Sequence, residues 1–401
     1  MRSWDLDREA LVRRNRRLAA AFNQPSRKHR LRNSLLRFIA YAPIAPKVGE
    51  AGRVLIIRPD HFGDMLLTTP AIKALKRARP ELGIHVLCGP WCAELLEHYG
   101  EAERVLTLPF PGFQRDEGAA GNPYKLALQS ARLLRRIGYD SALIMRPDHW
   151  WGALLASLAG IPRRIGYDLP GVAPFLTDAR PLQHQHVVVQ NLRLVEAMGV
   201  TRSSESIQLE FPLRPGDQEG IDMTLADLGI AGERPIVCIH PGSGAASKAW
   251  PAAEWAKVAD AISRDYRAAI ILTGTAAESA LIGDIIHFMT GGAASLAGRT
   301  SPGQLAALYR RSLAVLGVDS GALHMAAAVH SPTVTLFGPA DPIEFAPWGD
   351  RRRHAVVTAD IACRPCRILD WRADDPRFHP CVREIGVGQV LEALQRVLGE
   401  D

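Results

Sequence analysis

Two doubly wound α/β domains facing a common cleft, each a parallel sheet with helices on both faces, are what this sequence predicts. Three observations lead there. The 401 residues exceed what one hydrophobic core usually covers. From residue 52 onward, short runs rich in Val, Ile and Leu alternate with amphipathic runs of helical period. The alternation then breaks at ESIQLEFPLRPGDQEG, residues 205–220, and starts again. Two successive β-α-β series mean two parallel sheets, and such sheets take ligands outside the carboxyl ends of their strands. The predicted bounds are a basic N-terminal extension at 1–50, a first domain at 51–212, and a second at 213–401 that ends in a helix.

In the first series RVLIIR is a buried strand and TTPAIKALKRARP a helix with Pro70 near its first turn. IHVLCG and RVLTL are strands, YKLALQSARLLRRIG is an amphipathic helix, and DSALIMR is a strand. WGALLASLAGI reads as helical and leads to RRIGYD, and HVVVQNLRLVEAMGV is helical again. In the second series PIVCIH, AAIILTG, LAVLGV and TVTLFG are strands. They are separated by helices over WPAAEWAKVADAISRDY, AESALIGDIIHFM, SPGQLAALYRRS and GALHMAAAVH.

Composition narrows the class. An apolar share of 47% and a charged share of 22% are those of an ordinary globular protein. No apolar run reaches the length of a membrane span, and MRSWDLDREALVRRNRR lacks the apolar core of a signal peptide. Those two features lead us to expect a cytoplasmic protein. Six scattered cysteines argue for reduced thiols over a disulfide scaffold. Residues 1–50 hold 12 Lys and Arg against 4 acids, interleaved with Leu18, Leu31, Leu35, Leu36, Phe38 and Ile39. That pattern suits either the surface of an anionic membrane or a solvated helical extension. No nucleic-acid recognition motif accompanies it.

Four segments carry candidate chemistry. In RPDHFGDMLLTTPAIKAL, Asp64 follows Gly63 between a strand and a helix, with Arg58 and Asp60 just before. Gly63 is read as the tight exit from the strand. RPDHF at 58–62 is echoed by RPDHW at 146–150, which puts Arg58, Asp60, Arg146 and Asp148 at strand ends on one rim. In IHPGSGAASKAWP, Gly242, Ser243, Gly244 and Ser247 offer amides and hydroxyls, and Lys248 offers a point charge. This makes either a phosphate cradle or a plain strand-to-helix turn. In GVDSGALHMAAAV, Ser320 sits as a helix N-cap after Asp319, with Gly321 and His324 following. In LTGTAAES, Glu278 is either a ribose ligand or a surface acid, and LFGPADPIEFAPWG ends a further strand in a Gly-Pro loop.

Taken in order, RVLIIRPDHFGDMLLTTPAIKAL, IHPGSGAASKAWP, LTGTAAES, LAGRTSPGQLAAL, VLGVDSGALHMAAA and LFGPADP resemble the successive motifs of the bacterial heptosyltransferases, glycosyltransferase family 9. The resemblance runs from about residue 52 to the C-terminus and leaves the first 50 residues outside it. It implies two Rossmann-like domains of the glycosyltransferase B type. The implied reaction is an inverting, metal-independent transfer of heptose from ADP-heptose to lipopolysaccharide core, with no cofactor. It also implies Asp64 as general base, Lys248 and Ser243 at the diphosphate, and Asp319, Ser320 and Gly321 at phosphate or sugar, with His324 beside them. Glu278 matches a ribose-binding position. Arg58, Asp60 and Arg146 stand as acceptor-side candidates. The implied partners are a nucleotide-sugar donor and a lipid-linked acceptor, met at the inner face of the inner membrane with help from the basic extension. Another nucleotide sugar or glycan acceptor, a nucleotide-sugar epimerase and a non-catalytic relative are the other readings. Separately, Cys363-x-x-Cys366 with His379 and Cys381 has a spacing that fits tetrahedral zinc, against a default of reduced structural thiols.

Overall fold

The computed structural model describes residues 8–22, 24, 26–40, 45, 52–114, 121–201, 207–230, 234–369 and 378–399. The chain divides into two compact units, Pro25–Ile207 and a second built from Met1–Gln24 with Gln208–Asp401. We call them the N-half and C-half units. The described parts of segment 1–50 fall in both units. Helix α1 (Arg8–Phe22) belongs to the C-half unit and helix α2 (Arg27–Ala40) to the N-half unit. Of this segment, residues 1–7, 23, 25, 41–44 and 46–50 lie outside the described residues.

The N-half sheet has six parallel strands: β1 (Arg53–Arg58), β2 (Gly83–Cys88), β3 (Arg104–Thr107), β4 (Ser141–Ile144), β5 (Arg163–Tyr167) and β6 (Asp178–Arg180). Their order is β3-β2-β1-β4-β5-β6. Both faces of β1 are buried, which is why RVLIIR reads as a continuous apolar run and not as an alternation. Leu55 and Ile57 join the cluster formed with helices Pro123–Ile137 and Trp150–Leu158. Helices Thr69–Ala78 and Val187–Glu196 pack together elsewhere in the unit. Asn122 starts helix Pro123–Ile137 by accepting from the amides of Tyr124 and Lys125 at 2.9 and 3.2 Å.

The C-half sheet repeats the plan with β7 (Ile236–His240), β8 (Ala269–Leu272), β9 (Ala294–Ser295), β10 (Ala314–Val318), β11 (Thr333–Phe337) and β12 (His354–Thr358). Its order, β12-β11-β10-β7-β8-β9, is the N-half order again with corresponding strands in place. The strand order therefore reverses beside β1 in one unit and beside β7 in the other. Those reversals are where doubly wound sheets open a crevice for ligands.

The break at 205–220 is only partly irregular. Residues 205 and 206 lie outside the described ones, and Pro215–Asp227 is a helix. Pro215 occupies its first turn, and the Asp217 carboxylate accepts from the Arg214 amide at 2.7 Å, so the residues that suggested a linker start a helix instead.

Candidate functional site

In the N-half unit the site grows from the ends of β1 and β4. The Arg58 guanidinium is 3% exposed and is held from three sides. It donates to the Met145 carbonyl at 2.9 Å and to Asp64 Oδ1 at 3.2 Å, and its Nε lies 2.7 Å from Asp60 Oδ2. Asp60 is also buried, and its other oxygen pairs with Arg146, which in turn holds Asp148 at 2.6 Å. The two echoing pentapeptides thus form one interlocked network of charges. Burial works against ionisation of Asp60, but the neighbouring Arg58 and Arg146 outweigh it and hold its carboxyl below the ordinary range.

This network changes what the sequence suggested for the rim. Arg58 and Asp60 form an ion pair inside the unit, whereas Arg146 keeps about a third of its side chain in solvent. Asp64 also remains one-third exposed at the start of helix Phe62–Leu66. Gly63 is the second residue of that helix, so the exit from the strand is made earlier, by Pro59 to His61. Trp91 fixes that exit by donating to the Asp60 carbonyl at 2.7 Å while its ring stacks on His61.

His149 is a residue the sequence did not single out. It is buried against the rings of Phe110 and Phe113, and neither ring nitrogen has a hydrogen-bond partner among the described residues. Burial pushes it down to about 3, so the imidazole is neutral.

In the C-half unit the ends of β7 and β10 supply the counterpart. Lys248 Nζ lies 2.6 Å from Asp319 Oδ2 and also donates to the Asp319 carbonyl at 3.2 Å. These two candidates, 71 residues apart, are thereby brought together. Ser320 occupies the N-cap position of helix Gly321–Ala328, but its hydroxyl makes no cap bond. Its Oγ has no partner among the described residues, so the helix amides are left uncapped by their own side chain. His324 is buried inside the same helix. Ser243 turns inward, donating to the Ala245 carbonyl at 3.0 Å.

Glu278 is tied to the neighbouring loop. It accepts from the Thr275 amide and hydroxyl at 2.7 and 3.0 Å. A Cβ on Gly242 would lie 1.9 Å from its Oε1, so a glycine there lets the carboxylate rest against the phosphate-compatible loop. Beneath that loop His240, Thr273 and Tyr309 form a buried chain of hydrogen bonds at 3.1 and 2.8 Å. Burial keeps His240 below its ordinary value, against the pull of Glu278. Nothing in the spacing of these three residues announced the chain. In the Gly-Pro loop, Asp341 caps helix Pro342–Phe345 and pairs with Arg367 at 2.7 Å.

The zinc-like spacing does not close into a site in this structure. No three of Cys363, Cys366, His379 and Cys381 bring ligand atoms within 4.8 Å of one another. Burial pushes Cys381 up to about 12, with the neighbouring thiols adding to it, and all six cysteines are free.

Comparison with known proteins agrees with this construction. The model of glycosyltransferase family 9 (heptosyltransferase) matches residues 127–370. Lipopolysaccharide heptosyltransferase 2 of Salmonella typhimurium is 26% identical over 360 residues, covering 87% of this chain and 99% of that protein. The solved structure of Escherichia coli ADP-heptose lps heptosyltransferase II is 24% identical, with a TM-score of 0.67 over 87% of this chain and 99% of that one. The structure of Escherichia coli heptosyltransferase WaaC with ADP has a TM-score of 0.60 at 20% identity, over 76% of this chain and 92% of that one. Both structures share the glycosyltransferase B fold of two α/β units.

Proposed function

The chain belongs to glycosyltransferase family 9, the heptosyltransferases, and from that premise we propose that it moves a heptose from ADP-heptose to a lipopolysaccharide core acceptor with inversion. The observation that carries this is the pairing of Lys248 with Asp319 beside the uncapped Ser320 helix, at the strand-order reversal of one unit. Such a reversal with free amides and a cation suits a diphosphate. The lipopolysaccharide heptosyltransferases among its relatives and the ADP complex of one of them support the choice of donor.

In this reading Asp64 takes the proton of the acceptor hydroxyl as its oxygen attacks the anomeric carbon. The bond from that carbon to the diphosphate breaks, and ADP leaves with the developing negative charge. Lys248 and the amides that follow Ser320 stabilise that charge. Arg58, locked by Asp60 and Met145, positions Asp64 without touching substrate. Arg146 and Asp148, partly in solvent, are the members of the network that can meet the acceptor. Glu278, tied to Thr275 and resting against Gly242, takes the ribose in this reading, and Ser243 and His324 line the same end of the unit. No cofactor enters the reaction.

The acceptor is lipid-linked, so the enzyme works at the inner face of the inner membrane. Among the described residues no helix is long and apolar enough to cross a membrane, and contact is peripheral in this proposal. Offering purified protein a panel of nucleotide sugars, with and without a core acceptor, tests the reading. Acceptor-dependent release of ADP from ADP-heptose is the expected result. Release from another nucleotide sugar alone would move the reading to a different donor, and sugar conversion without acceptor would make it an epimerase. Asp64→Asn should abolish transfer and leave ADP binding intact; normal turnover in that variant would remove Asp64 as the base.

A further inference from the structure

The two basic helices at the start of the chain have different fates, and the difference identifies a docking face. In α1 the basic side chains are largely spent on protein. Arg8 pairs with Glu384 at 2.9 Å, Arg13 with Glu9 at 3.1 Å, Arg16 donates to the Ala362 carbonyl at 3.0 Å, and Arg14 lies over the Phe378 ring.

Among the described side chains, Leu36 and Arg32 fasten helix α2 to the N-half unit. Leu36 is 1% exposed within the core cluster, and Arg32 lies over the Trp150 ring at 4.7 Å. Leu31, Leu35 and Phe38 fall on the opposite side by helical spacing and are 74%, 57% and 79% exposed. Three large apolar side chains in one exposed row are more than the scattered singles normal on a surface.

Residues 27–40 contain five Lys or Arg and no acid. That balance selects the occupant. A second copy of the same face would set two cationic helices against each other, and a neutral apolar partner would leave the charge unanswered. An anionic bilayer answers both features, with phosphates for the cations and acyl chains for the apolar row. We infer that the Leu31, Leu35 and Phe38 face of α2 inserts into an anionic membrane surface and so places the N-half unit at its lipid-linked acceptor. This rests on the acceptor reading above, and it assigns the contact to α2 and not to α1.

The test uses the full chain in flotation with vesicles of phosphatidylcholine alone and of phosphatidylcholine with an equal part of phosphatidylglycerol. Wild type should float with the anionic vesicles only. Combined Leu31→Ser, Leu35→Ser and Phe38→Ser should weaken that partitioning by at least about tenfold with unchanged thermal unfolding, because these side chains are already in solvent. Arg13→Glu with Arg17→Glu in α1 should leave it within about twofold. Wild-type-like flotation of the triple variant, equal flotation with neutral vesicles, or a wild-type dimer that the triple variant dissolves would each overturn the inference. Turnover separates the two readings. The triple variant should keep normal rates on a delipidated acceptor and lose rate on a vesicle-embedded one. Absence of turnover on either acceptor in wild type would refute the function while the flotation result still decided the docking face.

Discussion

Replacing Asp60 by Asn puts the N-half network to its hardest test. Arg58 and Asp60 each have side chains only 4% exposed, so removing the carboxylate charge strands a guanidinium inside the unit. Breaking a buried pair from one side costs about 3–5 kcal/mol. Asn keeps the shape and one acceptor oxygen, and the Arg146 leg is screened because that side chain is 36% exposed. The lower end, about 3 kcal/mol, is therefore the expected loss, and for a unit of this size it lowers the unfolding midpoint by roughly 6–12 °C. Scanning calorimetry of the full chain near neutral pH measures it, with Asp148→Asn, whose side chain is 63% exposed, as a reference that should shift little.

Acid adds a second check. A carboxyl held below its ordinary 3.8 contributes stability above that value and loses it as pH falls through the folded one. The gap between wild type and variant should thus be constant at neutral pH and shrink only below about pH 4. A midpoint within about 1 °C of wild type, or a gap that closes nearer neutrality, would refute the claim that Asp60 anchors Arg58.

Two further outcomes are expected. Lys248→Ala removes a charge-assisted contact to the diphosphate and should weaken ADP binding by about tenfold to a hundredfold in calorimetric titration, with Asp319 left as an unpaired carboxylate beside the leaving group. His149→Leu should flatten the acid side of the stability curve. The folded histidine, at about 3, stays neutral among Phe110, Phe113, Asp60 and Arg146, while the unfolded one takes a proton below its ordinary 6.5. Stability is therefore full above that value and falls by up to about 1.4 kcal/mol per pH unit below it in wild type, and urea midpoints between about pH 7 and about pH 5 should fall less in the variant.

The strands and helices that bury two faces were legible in the sequence because continuous Val, Ile and Leu runs have few other homes. Helix Pro215–Asp227 was not, since its Pro, Gly and acids are as much turn residues as helix starters, and only Ile221 and Leu225 are buried. The short strands Asp178–Arg180 and Ala294–Ser295 carry no period at all. Within the site, Asp64, Lys248 and Asp319 were visible as chemistry at strand ends. What they touch was not. Arg146 and Asp60 are 86 residues apart, and a repeated pentapeptide hinted at kinship without revealing that its two copies neutralise each other. The same limit hid the His240, Thr273 and Tyr309 chain, whose members come from two strand ends and a helix.

The clasp made by α1 has a consequence for biosynthesis. A ribosome makes α1 before the N-half unit and the strip that α1 grips well after it. Asn15 donates to the Phe378 carbonyl across 363 positions, and Arg8 reaches Glu384 across 376. The intervening N-half unit, continuous from Pro25 to Ile207, can close while the rest is still being made. The C-half unit cannot, because its parts flank the N-half unit on both sides. Removing either α1 or the strip it grips therefore unseals the same body, the one proposed to hold the nucleotide.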